Sequence, residues 1–151
     1  MNITDEKQME NFVAQSFDFA RHNQVEPLTL MLDAGLNVNL ANEKGNTLLM
    51  LAAYNNSMDV AKLLLQRGAC VDKRNDRNQT PLAGVCFKGY LDMAKLLIAN
   101  GADVDAQVGM GLTPLNCAII FRRKEIKDLL LVHTKKKPSF IQKIGLMLLG
   151  K

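Results

Sequence analysis

A period of thirty-three residues runs through this 151-residue chain. Two residue types mark it, at Thr47, Thr80 and Thr113 and at Gly35, Gly68 and Gly101. A fixed period of this length is typical of repeat proteins, in which each unit covers the apolar face that its neighbour cannot bury alone. The period therefore predicts stacked copies of one small unit, and it points to a binding surface that the copies build together.

Each period contains the signals for two helices. The threonine is a helix N-cap, and proline is tolerated at the position after it, as in Thr80-Pro81 and Thr113-Pro114. A short helix follows, then a polar break, then a second helix rich in leucine. The glycine at the end supplies the positive φ that closes a helix. The sequence thus predicts an all-α chain of helix–turn–helix units joined by short loops.

These residues resemble the ankyrin repeat. The likeness lies in residues 45–53 (GNTLLMLAA), 63–69 (LLLQRGA), 79–82 (QTPL), 96–106 (LLIANGADVDA) and 111–115 (GLTPL). It covers about residues 9–134 and implies an ankyrin-repeat solenoid. The histidine that usually follows the family's Thr-Pro-Leu triplet is replaced by Met50, Ala83 and Asn116. We expect those turns to lose the hydrogen bonds that the histidine makes in the family.

The resemblance divides residues 1–134 into four units, at about 9–41, 42–74, 75–107 and 108–134, and leaves residues 135–151 as a basic amphipathic tail. The outer units are degenerate, as caps that face water on one side are expected to be. The first helix of the first unit has one apolar stripe, at Met9, Phe12, Val13, Ser16, Phe17 and Ala20. In the tail, Ser139 and Gln142 have the spacing of a capping box, which predicts a C-terminal helix.

Catalytic chemistry is not indicated by the sequence. The two histidines, His22 and His133, lie far apart in the repeat order, and no nucleophile, base or carboxylate pair accompanies them. Cys86 and Cys117 occupy apolar phases of the repeat and are expected in the core, whereas Cys70 lies on a loop where its thiol is expected to be exposed. We predict no enzyme activity, no catalytic residue, no metal site and no cofactor.

The expected binding surface comes from the family resemblance, which implies contacts through the loop tips and the exposed ends of the first helices. The helix-end residues are Arg21, Tyr54, Phe87 and Ile120, with His22, Asn55, Lys88 and Phe121 beside them. The loop-tip residues are Glu43, Lys44, Asn46, Asp76, Arg77, Gln79, Met110 and Leu112. The large apolar members predict an apolar ridge along a concave groove. Tyr54 and Phe121 are expected at the surface, while for Phe87 and Ile120 burial between helices remains equally open.

Positive charge is concentrated at the C-terminal end. Residues 1–121 hold 10 Lys and Arg against 13 Asp and Glu, whereas residues 122–151 hold 9 against 2. Three interpretations of the tail remain open. The apolar face of residues 139–149, with Phe140, Ile141, Ile144 and Leu148, packs over the fourth unit; or the tail docks onto another protein; or it attaches to a membrane surface.

The sequence favours a non-catalytic protein-interaction module, with a membrane-surface adaptor that uses the basic tail as anchor as the alternative. Nucleic acid is disfavoured because no aromatic or arginine-rich element accompanies the lysines. The N-terminal residues are acidic where a signal peptide is basic, and no apolar run approaches the roughly 18 residues that a membrane span needs. We therefore expect a monomer in the cytoplasm.

Overall fold

Helices dominate the computed structural model, which describes residues 3–150. The nine α-helices within that range are α1 (Ile3–Arg21), α2 (Val25–Asp33), α3 (Leu48–Tyr54), α4 (Met58–Gln66), α5 (Pro81–Lys88), α6 (Leu91–Ala99), α7 (Pro114–Ile120), α8 (Lys124–His133) and α9 (Phe140–Leu149). A short 3-10 turn covers Gly109–Gly111, and an isolated β-bridge joins Ala41 to Thr47. The predicted all-α class, with four helix pairs and a C-terminal helix, is confirmed.

The threonines at the repeat period cap the helices that follow them. The Thr47 hydroxyl accepts a hydrogen bond from the backbone N–H three residues later at 3.1 Å, and Thr80 and Thr113 do the same at 3.3 and 3.2 Å. Each cap satisfies one of the N–H groups that a helix start leaves unpaired, which stabilises the helix by about 1 kcal/mol. Thr47 and Thr80 are buried, so their hydroxyls have little access to water as an alternative partner.

Two compact units make up the chain, Met1–Cys70 and Val71–Lys151. In the first unit, α1 packs against α2 and α3, and α4 packs against α2 and α3. Its core consists of aliphatic side chains that are shielded from water, among them Leu28, Leu48, Leu49, Val60 and Leu64.

The second unit has the same plan and adds α9. Here α5 packs against α6 and α7, α8 packs against α6 and α7, and α9 packs against α7. Leu82, Met93, Leu97, Ile126 and Leu130 form its core. Cys86 and Cys117 are buried as predicted, and burial raises the pKa of both thiols. Cys70, in the first unit, is exposed as predicted.

One hydrogen bond recurs where a repeat passes to the next. A side-chain oxygen on one loop accepts the backbone N–H of a residue about one repeat later. The pairs are Asn39 with the N–H of Cys70 (2.8 Å), Asp72 with the N–H of Asp103 (2.9 Å) and Asp105 with the N–H of Lys135 (3.1 Å). We call these three acceptors the loop acceptors. The loop acceptors are themselves thirty-three residues apart, so the same hydrogen bond recurs from one repeat to the next.

Helix α1 differs from the prediction at its start. It begins at Ile3, six residues before the predicted unit boundary, and is 19 residues long, whereas α3 has only 7. Its first turns therefore extend past the helix on which it packs. Ser16 and Ala20 of the predicted apolar stripe are buried, but Met9 and Phe12 are exposed.

Helix α9 packs on the fourth repeat, as one of the three interpretations of the tail has it, but the packing face named in that interpretation is wrong. Phe140, Ile141, Ile144 and Leu148 are exposed, and the better-covered side of the helix carries Gln142, Gly145, Leu146 and Leu149. The reason lies in two local fits, the hydrogen bonds from Gln142 to Thr113 and Asn116 at the start of α7 and the close approach of Gly145 to Ile119. One of them also alters the expectation for the missing histidine, because Asn116 makes hydrogen bonds in its place.

Candidate interaction surface

The predicted contact residues occupy two places in the repeats, the ends of the first helices and the tips of the loops. Three of the four first helices, α1, α3 and α7, end at Arg21, Tyr54 and Ile120, and α5 ends one residue after Phe87. The large apolar members at the helix ends are all exposed, with 39% of Phe87, 41% of Tyr54, 42% of Phe121 and 56% of Ile120 accessible to water. The structure therefore decides the open question at Phe87 and Ile120 in favour of exposure.

In the first unit, local bonds fix the backbone around Arg21 and Tyr54. The Arg21 side chain forms an ion pair with Asp18 at 2.8 Å. The backbone carbonyl of Arg21 accepts a hydrogen bond from the Ser57 hydroxyl, also at 2.8 Å. The Ser57 bond ties the end of α1 to the start of α4. Asn55, the residue after Tyr54, donates its side-chain amide to the carbonyl of Leu51 at 2.8 Å and so closes the end of α3. Tyr54 thus extends from a helix end of fixed geometry.

In the second unit, two exposed aromatic rings contact each other. The ring centroids of Phe87 and Phe121 are 4.5 Å apart with planes at 83°, an edge-to-face arrangement. Such pairs contribute about 0.5–1.5 kcal/mol beyond the area that they bury. Arg123 donates from Nε and Nη2 to the carbonyl of Phe87 at 3.2 and 3.1 Å, which joins the two helix ends. Ile120 lies next to the pair, and Lys88 beside it is half-buried.

The first two loop tips have the same kind of turn, each held by an asparagine side chain. Asn42 accepts the backbone N–H of Lys44 and of Asn46 through its side chain, both at 3.0 Å. Asn75, thirty-three residues later, accepts those of Arg77 and Gln79 at 3.1 and 3.0 Å. An asparagine that bonds its own loop in this way holds a tight turn without a regular strand.

The charged side chains of these two tips are exposed to water. Glu43 and Lys44 stand next to each other on the first tip, and Asp76 and Arg77 on the second, so each tip shows one negative and one positive charge. Asn46 is half-buried and Gln79 is exposed. Arg74 supports the second tip, because its Nη1 donates to the carbonyls of Asn78 and Gln107 at 3.3 and 2.5 Å.

The third tip is different. Met110 has a φ of 64° inside the Gly109–Gly111 turn, and 98% of its side chain is exposed. A positive φ costs a side chain such as methionine about 1 kcal/mol, since its Cβ approaches the carbonyl oxygen. Leu112, by contrast, is half-buried. The tip thus displays one flexible apolar side chain instead of a charge pair.

Within residues 3–150, no three His, Cys, Asp or Glu side chains lie close enough to hold a metal ion. His22 bonds the carbonyl of Asp18 through Nδ1 at 2.8 Å, and His133 bonds that of Leu129 at 2.9 Å, so both rings are engaged with their own helices. The arrangement of exposed rings, aliphatic side chains and mixed charge suits contact with a polypeptide.

Three features of this surface were not predicted from the sequence. The contact between Phe87 and Phe121 was not anticipated because Phe121 lies one position off the phase of Phe87. The role of Arg123 depends on a carbonyl and has no sequence signal of its own. The loop acceptors had a signal, since Asn39, Asp72 and Asp105 are polar residues at the repeat interval.

Two comparisons with known proteins give consistent results. A family model for ankyrin repeats (three copies) matches residues 17–108 and, in a second placement, residues 71–140. A Pseudomonas aeruginosa protein that bears the name of an ankyrin repeat protein is 46% identical to this chain over 50 residues. That match spans 33% of this chain and 29% of the relative, so the chain covers well under two thirds of the relative's length.

Proposed function

The chain belongs to the ankyrin-repeat family, and on that premise we propose that it binds a protein partner through its first-helix ends and loop tips. Ankyrin repeats are in general protein–protein interaction modules and in general not enzymes. We place the contact on each of the two compact units by itself, where the helix ends supply the apolar side chains and the loop tips supply the charged ones.

The exposed pair of Phe87 and Phe121 is the observation that carries this proposal. Aromatic side chains that a partner can shield from water are common binding hot spots, and truncating one typically costs about 2 kcal/mol or more of binding free energy. The pair is already arranged by its edge-to-face contact and by the bonds from Arg123, so a partner meets it without first ordering it. Ile120 enlarges the apolar area.

Tyr54 is the matching anchor in the first unit. Its helix end is fixed by Asn55, and Arg21 comes from the same phase of the repeat. The tip residues around the two units supply charges of both signs, Glu43 with Lys44 and Asp76 with Arg77. A rim of mixed charge contributes more to the choice of partner and to the association rate than to affinity.

The test is affinity capture of partners by the full chain, compared between the wild type and two variants. Phe121→Ala and Tyr54→Ala are each expected to weaken binding of a specific partner by about thirtyfold, the equivalent of a hot-spot loss of about 2 kcal/mol. The dissociation constant of the captured partner, measured by calorimetry with the purified proteins, gives the readout.

Val132→Ala is the matched control, because Val132 is an exposed apolar residue of the second unit that lies outside the proposed surface. It should bind like the wild type. Helicity and melting temperature of all three variants must stay near the wild-type values. If Phe121→Ala and Tyr54→Ala bind as tightly as the control does, or if both fail to fold, the proposed site is wrong.

We further propose a monomer in the cytoplasm that needs no cofactor. The support for the cytoplasm is the state of the cysteines: Cys70, Cys86 and Cys117 are all free thiols, and two of them are buried. Unpaired cysteines are the norm in the reducing cytosol, whereas oxidising compartments favour disulfides.

A membrane-surface adaptor is the second candidate function. The observation that favours it is the exposed apolar side of α9 beside the basic tail. Within residues 3–150, none of the helices has the length and the apolar character of a membrane span.

A further inference from the structure

Helix α9 exposes a continuous apolar stripe. The five large side chains that form it are between 43% and 78% accessible to water: Phe140, Ile141, Ile144, Met147 and Leu148. Their spacing of three and four residues places them on one side of an α-helix. We call this set the α9 stripe.

The opposite side of α9 is attached to α7. The side-chain amide of Gln142 donates to Thr113 Oγ1 and to Asn116 Oδ1 at 3.3 and 3.2 Å, so the starts of the two helices lie side by side. Further along, Gly145 lies so close to Ile119 that a Cβ on the glycine would overlap Cγ2 of the isoleucine. Because the helix is fixed on this side, the α9 stripe faces outward in a defined orientation.

The charged side chains on α9 and on residues 134–139 before it are all positive, although the carboxylate of Asp105 accepts the backbone N–H of Lys135 at 3.1 Å. Lys135, Lys136 and Lys137 precede the helix, Lys143 lies on it, and all four are exposed. No acidic residue occurs from residue 129 to residue 151, and α7 (Pro114–Ile120), on which α9 packs, has no charged residue. The closest acidic residue along the chain, Asp128, is paired with Lys127 at 2.9 Å.

We propose that the α9 stripe and its lysines bind the surface of an anionic phospholipid membrane. The apolar side chains enter the boundary between headgroups and acyl chains, and the lysines contact the lipid phosphates and carboxylates. Four of the five stripe residues are at least 70% exposed, so the stripe protrudes. A protruding stripe suits insertion into a lipid layer, whereas a peptide ligand is usually held in a groove.

The binding should be weak and sensitive to salt. A ten-residue helix buries little apolar area, and stable attachment of a protein to a membrane generally requires two signals, an apolar one and a polybasic one. Both are present here, and the helix is already folded on α7 before it meets the lipid. Screening of the lysines by salt should then release the protein.

The experiment is co-sedimentation of the full chain with vesicles of phosphatidylcholine mixed with phosphatidylserine, and with vesicles of phosphatidylcholine alone. The wild type should bind the mixed vesicles at low salt and be released at high salt. Ile141→Gln combined with Met147→Gln should lower the partition coefficient about tenfold or more. Lys136→Gln, Lys137→Gln and Lys143→Gln together should lower it about a hundredfold, since each lysine near an anionic surface contributes about fivefold.

Matched controls carry the same changes elsewhere. Leu30→Gln with Val132→Gln removes two other exposed apolar residues, and Lys7→Gln, Lys62→Gln and Lys95→Gln remove three other exposed lysines. Both controls should bind vesicles like the wild type. All variants alter exposed positions, so circular dichroism and melting should remain unchanged.

Three outcomes would overturn the proposal: no binding to the mixed vesicles, equal binding to both kinds of vesicle, or equal losses in the variants and their controls. Sedimentation equilibrium tests whether a second copy of this chain occupies the stripe instead of a membrane. A wild type that dimerises without binding vesicles, and a stripe variant that remains monomeric, would make the stripe a self-association surface. The result is independent of the proposed partner site, because none of these substitutions alters Tyr54, Phe87 or Phe121.

Discussion

Asp72 holds a loop together although its own carboxylate is poorly solvated. Its Oδ2 accepts the backbone N–H of Asp103, while its Oδ1 is buried and finds no hydrogen-bond partner in the described part of the chain. Burial raises the pKa of Asp72, and the negative charge of Asp103 adds to the rise. The bond from the Asp103 N–H and the charge of Arg74 oppose it without cancelling it.

A raised pKa means that the folded state disfavours the ionised form. The Asp72 contribution is therefore favourable below the ordinary aspartate pKa of about 3.9 and is lost as pH rises through the folded value. We expect Asp72→Asn to raise the free energy of unfolding at pH 7 by less than about 1 kcal/mol, because solvent screens this half-buried group. Asn39 already fills the equivalent position in the first unit.

Melting curves between pH 3 and pH 7, roughly across the titration range of a carboxylate, test this expectation. The gain in the free energy of unfolding of Asp72→Asn over the wild type should decrease as pH falls, because Asp72 in the wild type becomes protonated. Asp76→Asn is the control, since Asp76 is an exposed carboxylate on the neighbouring tip and makes the same charge change. A gain at low pH as large as that at pH 7 would contradict the role of ionisation.

Arg122 occupies a left-handed backbone position that suits other residues better. The same phase of the repeat holds Asn23, Asn56 and Gly89, all with positive φ, and Arg122 has a φ of 56°. Arg122→Gly should raise the free energy of unfolding by several tenths to about 1 kcal/mol, because arginine has a Cβ that crowds the carbonyl oxygen. Chemical denaturation measures it, and Arg77→Gly, at an exposed tip position with ordinary φ, should give no gain.

Among single residues, the sequence correctly predicted the helix caps and the left-handed helix ends that recur in each repeat. Thr47, Thr80 and Thr113 cap helices, and Gly35, Gly68 and Gly101 have positive φ, because caps and left-handed ends each admit few residue types. The contact between Phe87 and Phe121 could not be predicted, since it depends on ring orientation across two helices. Neither could the Arg123 bond, whose acceptor is a backbone carbonyl.

Among the helices, α9 depends on a glycine for its position. Gly145→Ala would place a methyl group against Cγ2 of Ile119, a β-branched side chain that cannot rotate away freely. We expect the clash to exceed the gain in helix propensity of about 1 kcal/mol and to loosen α9 from α7. Hydrogen exchange should show faster exchange of the α9 amides, with the helices of the first unit unaffected.

A second substitution separates the clash from other effects. Ile119→Ala removes the opposing methyl group, so Ile119→Ala with Gly145→Ala should restore slow exchange in α9 relative to Gly145→Ala alone. Non-additivity of this kind is expected only for residues in contact. If the double variant exchanges as fast as the single one, the glycine does not set the distance between the helices.

The sequence predicted which elements exist better than which side each one buries. The apolar residues of α9 are distributed around the whole helix, so their periodicity did not reveal that Gln142 and Gly145 mark the packed side. The start of α1 could not be predicted from the sequence for a related reason. Residues 4–12 are all exposed, so no pattern of burial marks where the helix begins, and the boundary near residue 9 was placed from the repeat instead.

For the molecule as a whole, stability should depend on two cores. Leu64 is fully buried in the first unit and Leu97 in the second. Replacing either by alanine should cost about 2–5 kcal/mol, through the lost transfer free energy and the cavity left behind. Urea denaturation measures the cost, and hydrogen exchange should locate the loss in the unit that carries the substitution. Changes under about 1 kcal/mol at both sites would contradict the assigned phase of the repeat.

The loop acceptors also restrict how such a chain can diverge. Each bond closes over a nearly fixed number of residues, 31 from Asp72 to Asp103 and 30 from Asp105 to Lys135. An inserted or deleted residue inside such a span moves the N–H away from its acceptor. Descendants of this gene are therefore expected to vary by substitution at Tyr54, Phe121 and the loop tips, or by duplication of a whole repeat, while the spacing between acceptors is inherited unchanged.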